Sequence, residues 1–190
     1  MVLLSQAPTP SARWSAPDGA WTEPDLHLFP QDGHRYEIVD GCLHVTPPAP
    51  RWHGVLVQAV VTTLRAAAPP GWWVCDRLGI ETEGSNLVPD VTVLRPRSSG
   101  ASWSDPADVA LVVEVETGAT RRYDRMLKPV VYADAGIRDF WRVERTTRTM
   151  ALRVYELDDG GYRLRHSSEG GEPIRLAAPF AVQISPTAWG

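Results

Sequence analysis

Acidic residues stand at three positions whose neighbours along the chain are apolar. Asp90 follows Pro89 at the start of an apolar stretch, and Glu114 and Glu116 interrupt the run LVVEVE at 111–116. A buried carboxylate without a partner costs on the order of several kcal/mol, so a cation should lie nearby. A Mg²⁺ or Mn²⁺ ion bound by Asp90 and Glu114 would satisfy both charges, because these ions prefer oxygen ligands.

The same acids also have structural interpretations. Residues two apart in a strand lie about 6.6 Å apart on one face, so Glu114 and Glu116 should point the same way. They could then form buried salt bridges with Arg121 or Arg122 instead of binding a metal. Asp90 could equally accept a hydrogen bond from a turn amide at the entry to its strand.

Lys128 is the only lysine among the 19 basic residues of the chain. Because arginine serves at every other cationic position, a retained lysine suggests a chemical role. The alternative is a solvated ion pair with Asp124, four residues earlier on the same helix.

Two further side chains are candidates for lining a site with these acids. Glu37 stands in a predicted hairpin and His53 in a predicted helix, although a cross-strand ion pair and a packed histidine are the simpler interpretations. Arginines near strand ends could contact phosphate groups or could be solvated surface residues. These are Arg95, Arg97, Arg121 and Arg122.

The elements that would position these residues follow from hydrophobic periodicity and turn signals. A short helix is predicted to begin at Thr22, and Asp40-Gly41 predicts the turn of a hairpin. Pro129 should interrupt the helix that spans 121–135. The other predictions are a helix at 51–67, strands at 72–77, 90–94, 110–115 and 140–143, a polar loop at 95–108, and a C-terminal hairpin followed by one short strand.

Length and composition set broader limits. The 190 residues predict a flexible arm over 1–19, rich in Pro, Ser and Ala, and one domain over 20–190. A net charge of −4 argues against a broad basic surface but does not exclude a nuclease, since catalytic carboxylates lower the charge. The N-terminal residues are not expected to act as a signal peptide, and the sequence has no apolar run of about 18 residues and only two cysteines, so we expect a cytoplasmic protein that does not enter a membrane.

The order of these motifs resembles that of the PD-(D/E)XK nuclease superfamily and, within it, of the Uma-two family of restriction-endonuclease-like proteins. The resemblance covers the chain from about residue 25 to residue 186. It is carried by YEIVDG at 36–41, Pro47 with His53, PD at 89–90, LVVEV at 111–115, DRMLK at 124–128, and YADAGI at 132–137 leading into Phe140-Trp141.

The resemblance implies an α/β fold with a restriction-endonuclease-like central mixed sheet, flanked by helices and extended by N- and C-terminal β-hairpins. It implies Asp90, Glu114 and Lys128 as catalytic residues, the two acids as ligands of Mg²⁺ or Mn²⁺, and Glu116, Glu37 and His53 as accessory residues. The superfamily often has a lysine two residues after the glutamate. Glu116 stands there, and the family's lysine corresponds to Lys128 in the following helix.

Three functions therefore compete. The leading hypothesis is a metal-dependent DNA endonuclease that hydrolyses phosphodiester bonds, with a homodimer suggested by analogy to double-strand cutters. The second is a nuclease-fold module that binds nucleic acid or regulates without cutting, which the acidic charge and Glu116 favour. The third is an interaction domain whose carboxylates are purely structural.

Overall fold

The computed structural model describes residues 15–16, 19–96, 98, 103–145, 149–170 and 172–189. Most of the arm predicted over 1–19 lies outside the described residues. Arg97 also lies outside them. Four helices occur in the described chain: α1 (Glu23–Leu26), α2 (Arg51–Ala67), α3 (Arg121–Met126) and α4 (Lys128–Asp134). None of the helices in this part of the chain has both the length and the apolar character needed to span a bilayer.

The strands of the described chain are short, and most are apolar on at least one face. In chain order they are β1 (Arg35–Val39), β2 (Cys42–Thr46), β3 (Trp73–Asp76), β4 (Gly79–Thr82), β5 (Ser85–Leu87), β6 (Val91–Leu94), β7 (Trp103–Ser104), β8 (Val109–Glu116), β9 (Asp139–Arg145), β10 (Met150–Asp158), β11 (Gly161–Glu169), β12 (Ile174–Leu176) and β13 (Val182–Ile184).

A six-stranded sheet forms the centre of the fold, with the strand order β11-β10-β9-β8-β6-β3. Strands β8 and β9 are parallel, whereas the other neighbours are antiparallel, so the sheet is mixed. One face packs against α2 through residues such as Val60 and Val113. The opposite face packs against α3 and α4 through residues such as Val112 and Tyr132. The predicted mixed sheet flanked by helices is confirmed.

A second sheet covers part of the α3 and α4 side, with the order β2-β1-β5-β4-β7. Its β1–β2 hairpin turns at Asp40-Gly41, where both residues have positive φ (49° and 69°), as a type I′ turn requires. Strands β4, β5 and β7 were not predicted. They are too short to show a period, and β5 contains the polar but buried residues Ser85 and Asn86.

The predicted helix at 121–135 consists of two helices that meet at Leu127. Pro129 lacks the N–H that a continuous helix would need, so the chain restarts at Lys128, as expected. The described ends of the predicted loop at 95–108 include β7 and a 3-10 turn at Pro106–Asp108. At the C-terminus, β10 and β11 extend the central sheet. The single short strand predicted after them is instead the pair β12 and β13.

Candidate functional site

Strand β8 divides its side chains between the two faces of the central sheet, as the spacing predicted. Val113 and Val115 belong to the core cluster that contains α2. Glu114 and Glu116 instead contact residues of α3 and α4. The antiparallel register pairs Val91 of β6 with Val113 of β8. Continuing that register by one residue places Asp90 opposite Glu114, where cross-strand Cβ atoms lie about 5 Å apart.

Asp90 is held by three groups from three different elements. Its Oδ1 lies 3.0 Å from Arg35 Nη1 of β1, and its Oδ2 lies 3.1 Å from His53 Nε2 of α2. Oδ2 also accepts a hydrogen bond from the backbone N–H of Val115 at 2.8 Å. The carboxylate is therefore fixed beside the backbone that carries Glu114, although Asp90 itself lies just before β6.

Glu114, Lys128 and Glu37 form a fully buried cluster on the α4 side of the sheet. Lys128 Nζ lies 2.9 Å from Glu114 Oε1 and 3.1 Å from Glu37 Oε1. Tyr132, one turn further along α4, donates its hydroxyl to Glu114 Oε1 at 2.7 Å. The interpretation of Lys128 as a solvated surface residue is thus wrong, because the side chain has no exposed area.

Arg35 joins the two halves of this arrangement. Its Nε lies 3.2 Å from Glu37 Oε2 while its Nη1 contacts Asp90, so one guanidinium bridges two acids. Asp90, Arg35, Glu37, Lys128 and Glu114 consequently form an alternating chain of opposite charges. This alternation is how the fold keeps five ionisable side chains in its interior.

The two candidate metal ligands, Asp90 and Glu114, have pKa values that are shifted in opposite directions. Burial would raise the pKa of Asp90, but the hydrogen bond with His53 and the charge of Arg35 outweigh burial and lower it to about 2. Burial raises the pKa of Glu114 to about 8, against the opposing charge of Lys128. Burial would lower the pKa of Lys128, but the Glu114 and Glu37 carboxylates raise it, so the ammonium stays charged.

Several buried carboxylate oxygens accept no hydrogen bond within the described chain. They are Oε2 of Glu114, Oε2 of Glu37, and both oxygens of Asp124, whose side chain is almost wholly buried in α3. Burial raises the pKa of Asp124 to about 6, against the charge of Lys128. A buried carboxylate oxygen without a hydrogen bond suits a hard divalent cation, so Oε2 of Glu114 fits the expected ion chemically, whereas Oε2 of Glu37 already lies 3.2 Å from Arg35 Nε. No set of three or more His, Cys, Asp or Glu side chains among the described residues is arranged to hold a metal.

Glu116 shares a face with Glu114 but belongs to a different cluster. Arg121 Nε lies 2.7 Å from one carboxylate oxygen of Glu116, and Arg125 contacts both oxygens. Arg125 and Arg142 continue the network to Glu144. The carboxylate of Glu116 thus contacts arginines rather than Asp90. This agrees with the interpretation of Glu116 as the partner of Arg121 in a buried salt bridge.

A cavity of about 490 Å³ opens beside Asp90. His53 and Arg35 line it with Asp90, while Glu114, Lys128 and Glu37 do not. Arg51 and Arg77 also line it, together with small and hydroxyl residues. A ligand in this cavity would meet Asp90, Arg35 and His53 before it could reach Glu114, Lys128 or Glu37.

Three residues close to the buried acids were not predicted as site residues. They are Arg35, Asp124 and Tyr132. A signal for two of them was present, because Asp124, Lys128 and Tyr132 recur every four residues and so share one side of a helical segment. Arg35 gave a weaker signal, since it stands two residues before Glu37 and faces the same way. Neither signal names the partner across the fold.

The arginines suggested as phosphate contacts are mostly engaged elsewhere. Arg95 donates to the carbonyl oxygens of Ala107 and Val109, and Arg121 pairs with Glu116. Arg122 is exposed and does not line the cavity beside Asp90.

Comparisons with known proteins identify the family of the chain and a similar fold. The sequence model of the Uma2 family, described as "Putative restriction endonuclease", matches residues 17–187. A solved structure from Anabaena variabilis ATCC 29413, described as a "putative nuclease belonging to DUF820", has a TM-score of 0.66 and 15% sequence identity, and the alignment covers 87% of this chain and 97% of that chain. At this identity the likeness concerns the fold alone. No curated protein matches the chain. Because the family match spans nearly its whole length, the chain belongs to the Uma-two family of restriction-endonuclease-like proteins.

Proposed function

We propose that the protein is a metal-dependent DNA endonuclease of the PD-(D/E)XK type, which hydrolyses phosphodiester bonds. The observation that carries this proposal is the position of Asp90. Its carboxylate accepts a hydrogen bond from the backbone N–H of Val115, the residue next to Glu114, and borders a cavity of about 490 Å³ that cationic side chains also line. A buried acid pair next to a cationic cavity suits a polyanionic substrate that is cut with the help of a divalent cation.

Asp90 and Glu114 would hold Mg²⁺ or Mn²⁺, which when bound polarises a phosphate and lowers the pKa of a water molecule. The protein groups around them fix this pair. Arg35 and His53 hold the Asp90 carboxylate, and Lys128 and Tyr132 both occupy Oε1 of Glu114, so its Oε2 accepts no hydrogen bond. The Lys128 ammonium would stabilise negative charge that develops close to Glu114, as a compact point charge can.

The test is cleavage of supercoiled plasmid DNA with Mg²⁺, with Mn²⁺ and with EDTA. We expect nicked or linear product only with the cations, and loss of cleavage in Asp90→Asn and Glu114→Gln. Asp76→Asn is the matched control, because Asp76 lines the same cavity but is exposed and pairs with Gln58. Cleavage by both site variants at the wild-type rate would refute the assignment of ligands.

Lys128 is tested in the same assay with two substitutions. An arginine at position 128 keeps the charge, but its planar fork cannot occupy the same compact point, so we expect the rate to fall by roughly 10²–10³-fold. Lys128→Ala should be at least as slow. Equal rates for wild type and Lys128→Arg at matched folded concentration would exclude Lys128 from the reaction.

A second function, a nuclease-fold module that binds without cutting, is favoured by one specific observation. Both Asp90 oxygens are already occupied by protein groups, and Lys128 has no exposed area. This alternative predicts that DNA binds in the same cavity while Mg²⁺ and Mn²⁺ produce neither cleavage nor a thermal shift. The plasmid assay and a melting curve with Mn²⁺ therefore separate the two functions.

The proposal also covers the substrate, the oligomeric state and the cellular location of the protein. DNA is the proposed substrate, and a homodimer is proposed because a double-strand cut needs two active sites. A cytoplasmic location is supported by Cys42 and Cys75, both free thiols. Sedimentation of the protein with and without DNA tests the dimer.

A further inference from the structure

Arginine side chains in the described chain are almost all engaged with other groups. They form ion pairs with acids, donate to backbone carbonyls or an amide oxygen, or stack on an aromatic ring, as Arg65, Arg138 and Arg145 illustrate. Within the described residues, the guanidinium groups without any such partner are those of Arg51, Arg77 and Arg122. Free guanidinium groups are therefore the exception in the part of the chain that the structure describes.

Two of these three groups lie in the same place. Arg51 and Arg77 both line the cavity beside Asp90, whereas Arg122 does not. Arg51 begins α2, two residues before His53, and Arg77 follows β3. Two elements that are distant in sequence thus bring unpaired cations to the cavity in which the proposed reaction takes place.

Neither arginine is explained by local stability. Arg77 has a φ of 53°, a left-handed conformation that costs a non-glycine residue on the order of 1–2 kcal/mol. Its backbone N–H donates to the carbonyl of Asp90 at 3.2 Å, which ties the strained residue to the site. Arg51 is the first residue of α2, where the helix dipole disfavours a positive charge. Local stability therefore gives no reason for a cation at either position.

We propose that Arg51 and Arg77 form a phosphate clamp, which binds DNA backbone phosphates adjacent to the phosphate that would be cut at the Asp90–Glu114 site. The inference rests on the proposed function and adds the residues that select a polyanionic strand. A guanidinium presents a planar pair of donors to phosphate oxygens, and exposed, unpaired guanidinium groups lose no internal ion pair on binding. DNA then enters the cavity between α2 and the end of β3.

The experiment measures binding of a fluorescein-labelled DNA duplex by anisotropy in EDTA, over a series of salt concentrations. The variants are Arg51→Ala and Arg77→Gly, since glycine adopts the positive φ without strain. Each variant should bind about tenfold more weakly near 0.1 M salt, and each should lower the slope of log Kd against log salt by about 0.9, the value for one lost phosphate contact. Arg77→Lys keeps the charge and should retain the wild-type slope.

Arg122→Ala is the matched control, because Arg122 is equally free of partners but lies outside the cavity. It should leave both the affinity and the slope unchanged. Wild-type binding by Arg51→Ala and Arg77→Gly, or an equal loss in Arg122→Ala, would overturn the clamp.

The result of this binding experiment can be distinguished from the result of the cleavage assay that tests the proposed function. If the wild type cuts plasmid DNA and the two variants bind normally, the clamp is wrong and the nuclease assignment stands. If the wild type binds DNA through Arg51 and Arg77 but cuts nothing, the clamp is supported and the nuclease assignment is wrong. If the wild type neither binds nor cuts DNA, both are overturned.

Discussion

The Lys128 ammonium lies 2.9 Å from the Glu114 carboxylate, and both side chains are completely buried. The contact joins the first residue of α4 to the C-terminal half of β8. Buried ion pairs gain little against desolvation when complete, but they are costly to break, because one charge is then left in the interior. The pair therefore makes the position of Glu114 depend on α4.

Removing the Lys128 cation should destabilise the fold strongly. In Lys128→Met the volume is similar, but Glu37 and Glu114 lose their shared partner, so we expect the free energy of unfolding to fall by about 3–5 kcal/mol. Urea unfolding followed by circular dichroism measures the change. Arg122→Met, at an exposed residue, is the control and should stay near wild type. An unchanged midpoint for Lys128→Met would show that this contact contributes nothing to stability.

Two substitutions of Asp90 separate its charge from its hydrogen bond to the backbone. Asp90→Asn keeps an oxygen that can accept from the Val115 N–H, whereas Asp90→Ala leaves that buried N–H without a partner. Asp90→Ala should thus be less stable than Asp90→Asn by about 1–3 kcal/mol, the usual cost of an unsatisfied buried donor. Thermal or urea unfolding of both variants provides the comparison. Equal stabilities would mean that water replaces the lost acceptor.

Tyr132 should act as a positioning residue for Glu114. Tyr132→Phe removes the hydroxyl that donates to Oε1 and little else, so we expect a loss of about 1–2 kcal/mol of stability. If the nuclease assignment is right, the variant should also need more Mn²⁺ for half-maximal cleavage. Tyr36→Phe is the control, because the half-buried Tyr36 likewise donates its hydroxyl to a carboxylate, that of the exposed Asp32. A stability loss with an unchanged Mn²⁺ requirement would confine Tyr132 to a structural role.

Asp139, which lies outside the candidate site, should make the stability of the fold depend on pH. Burial raises the pKa of Asp139 to about 6 from its ordinary 3.8, and Glu156 on the neighbouring strand adds to the shift. Between these pH values the folded state binds more protons than the unfolded state, so this residue lowers stability as the pH rises from about 4 to 6.

The corresponding variant is Asp139→Asn, which cannot ionise. It should be more stable than wild type by about 1 kcal/mol at pH 8, and the difference should vanish below pH 4. Urea midpoints across this pH range measure it, with the exposed turn residue Asp159 changed to Asn as the control. A constant difference at every pH would show that the effect does not come from ionisation.

Much of the site was visible in local patterns. The alternation along β8 placed Glu114 and Glu116 on one face, Pro129 predicted the break before α4, and the Asp40-Gly41 turn predicted the first hairpin. These features depend on backbone geometry and on burial within one element, which a few neighbouring residues specify. The same patterns, ordered along the chain, carried the resemblance to the family.

The partners of the buried charges could not be read in this way. Arg35 reaches Asp90 across 55 positions of the chain, and the Val115 N–H bonds to Asp90 across 25. Nothing near Lys128 indicated that it would be wholly buried between Glu114 and Glu37. Each local pattern states only that a side chain is buried or exposed, and the choice among distant partners depends on how the sheets and helices pack together. The amino-acid sequence therefore specified the elements and the residue types of the site, while the packing of β1, β6, β8 and α4 selected which charges meet.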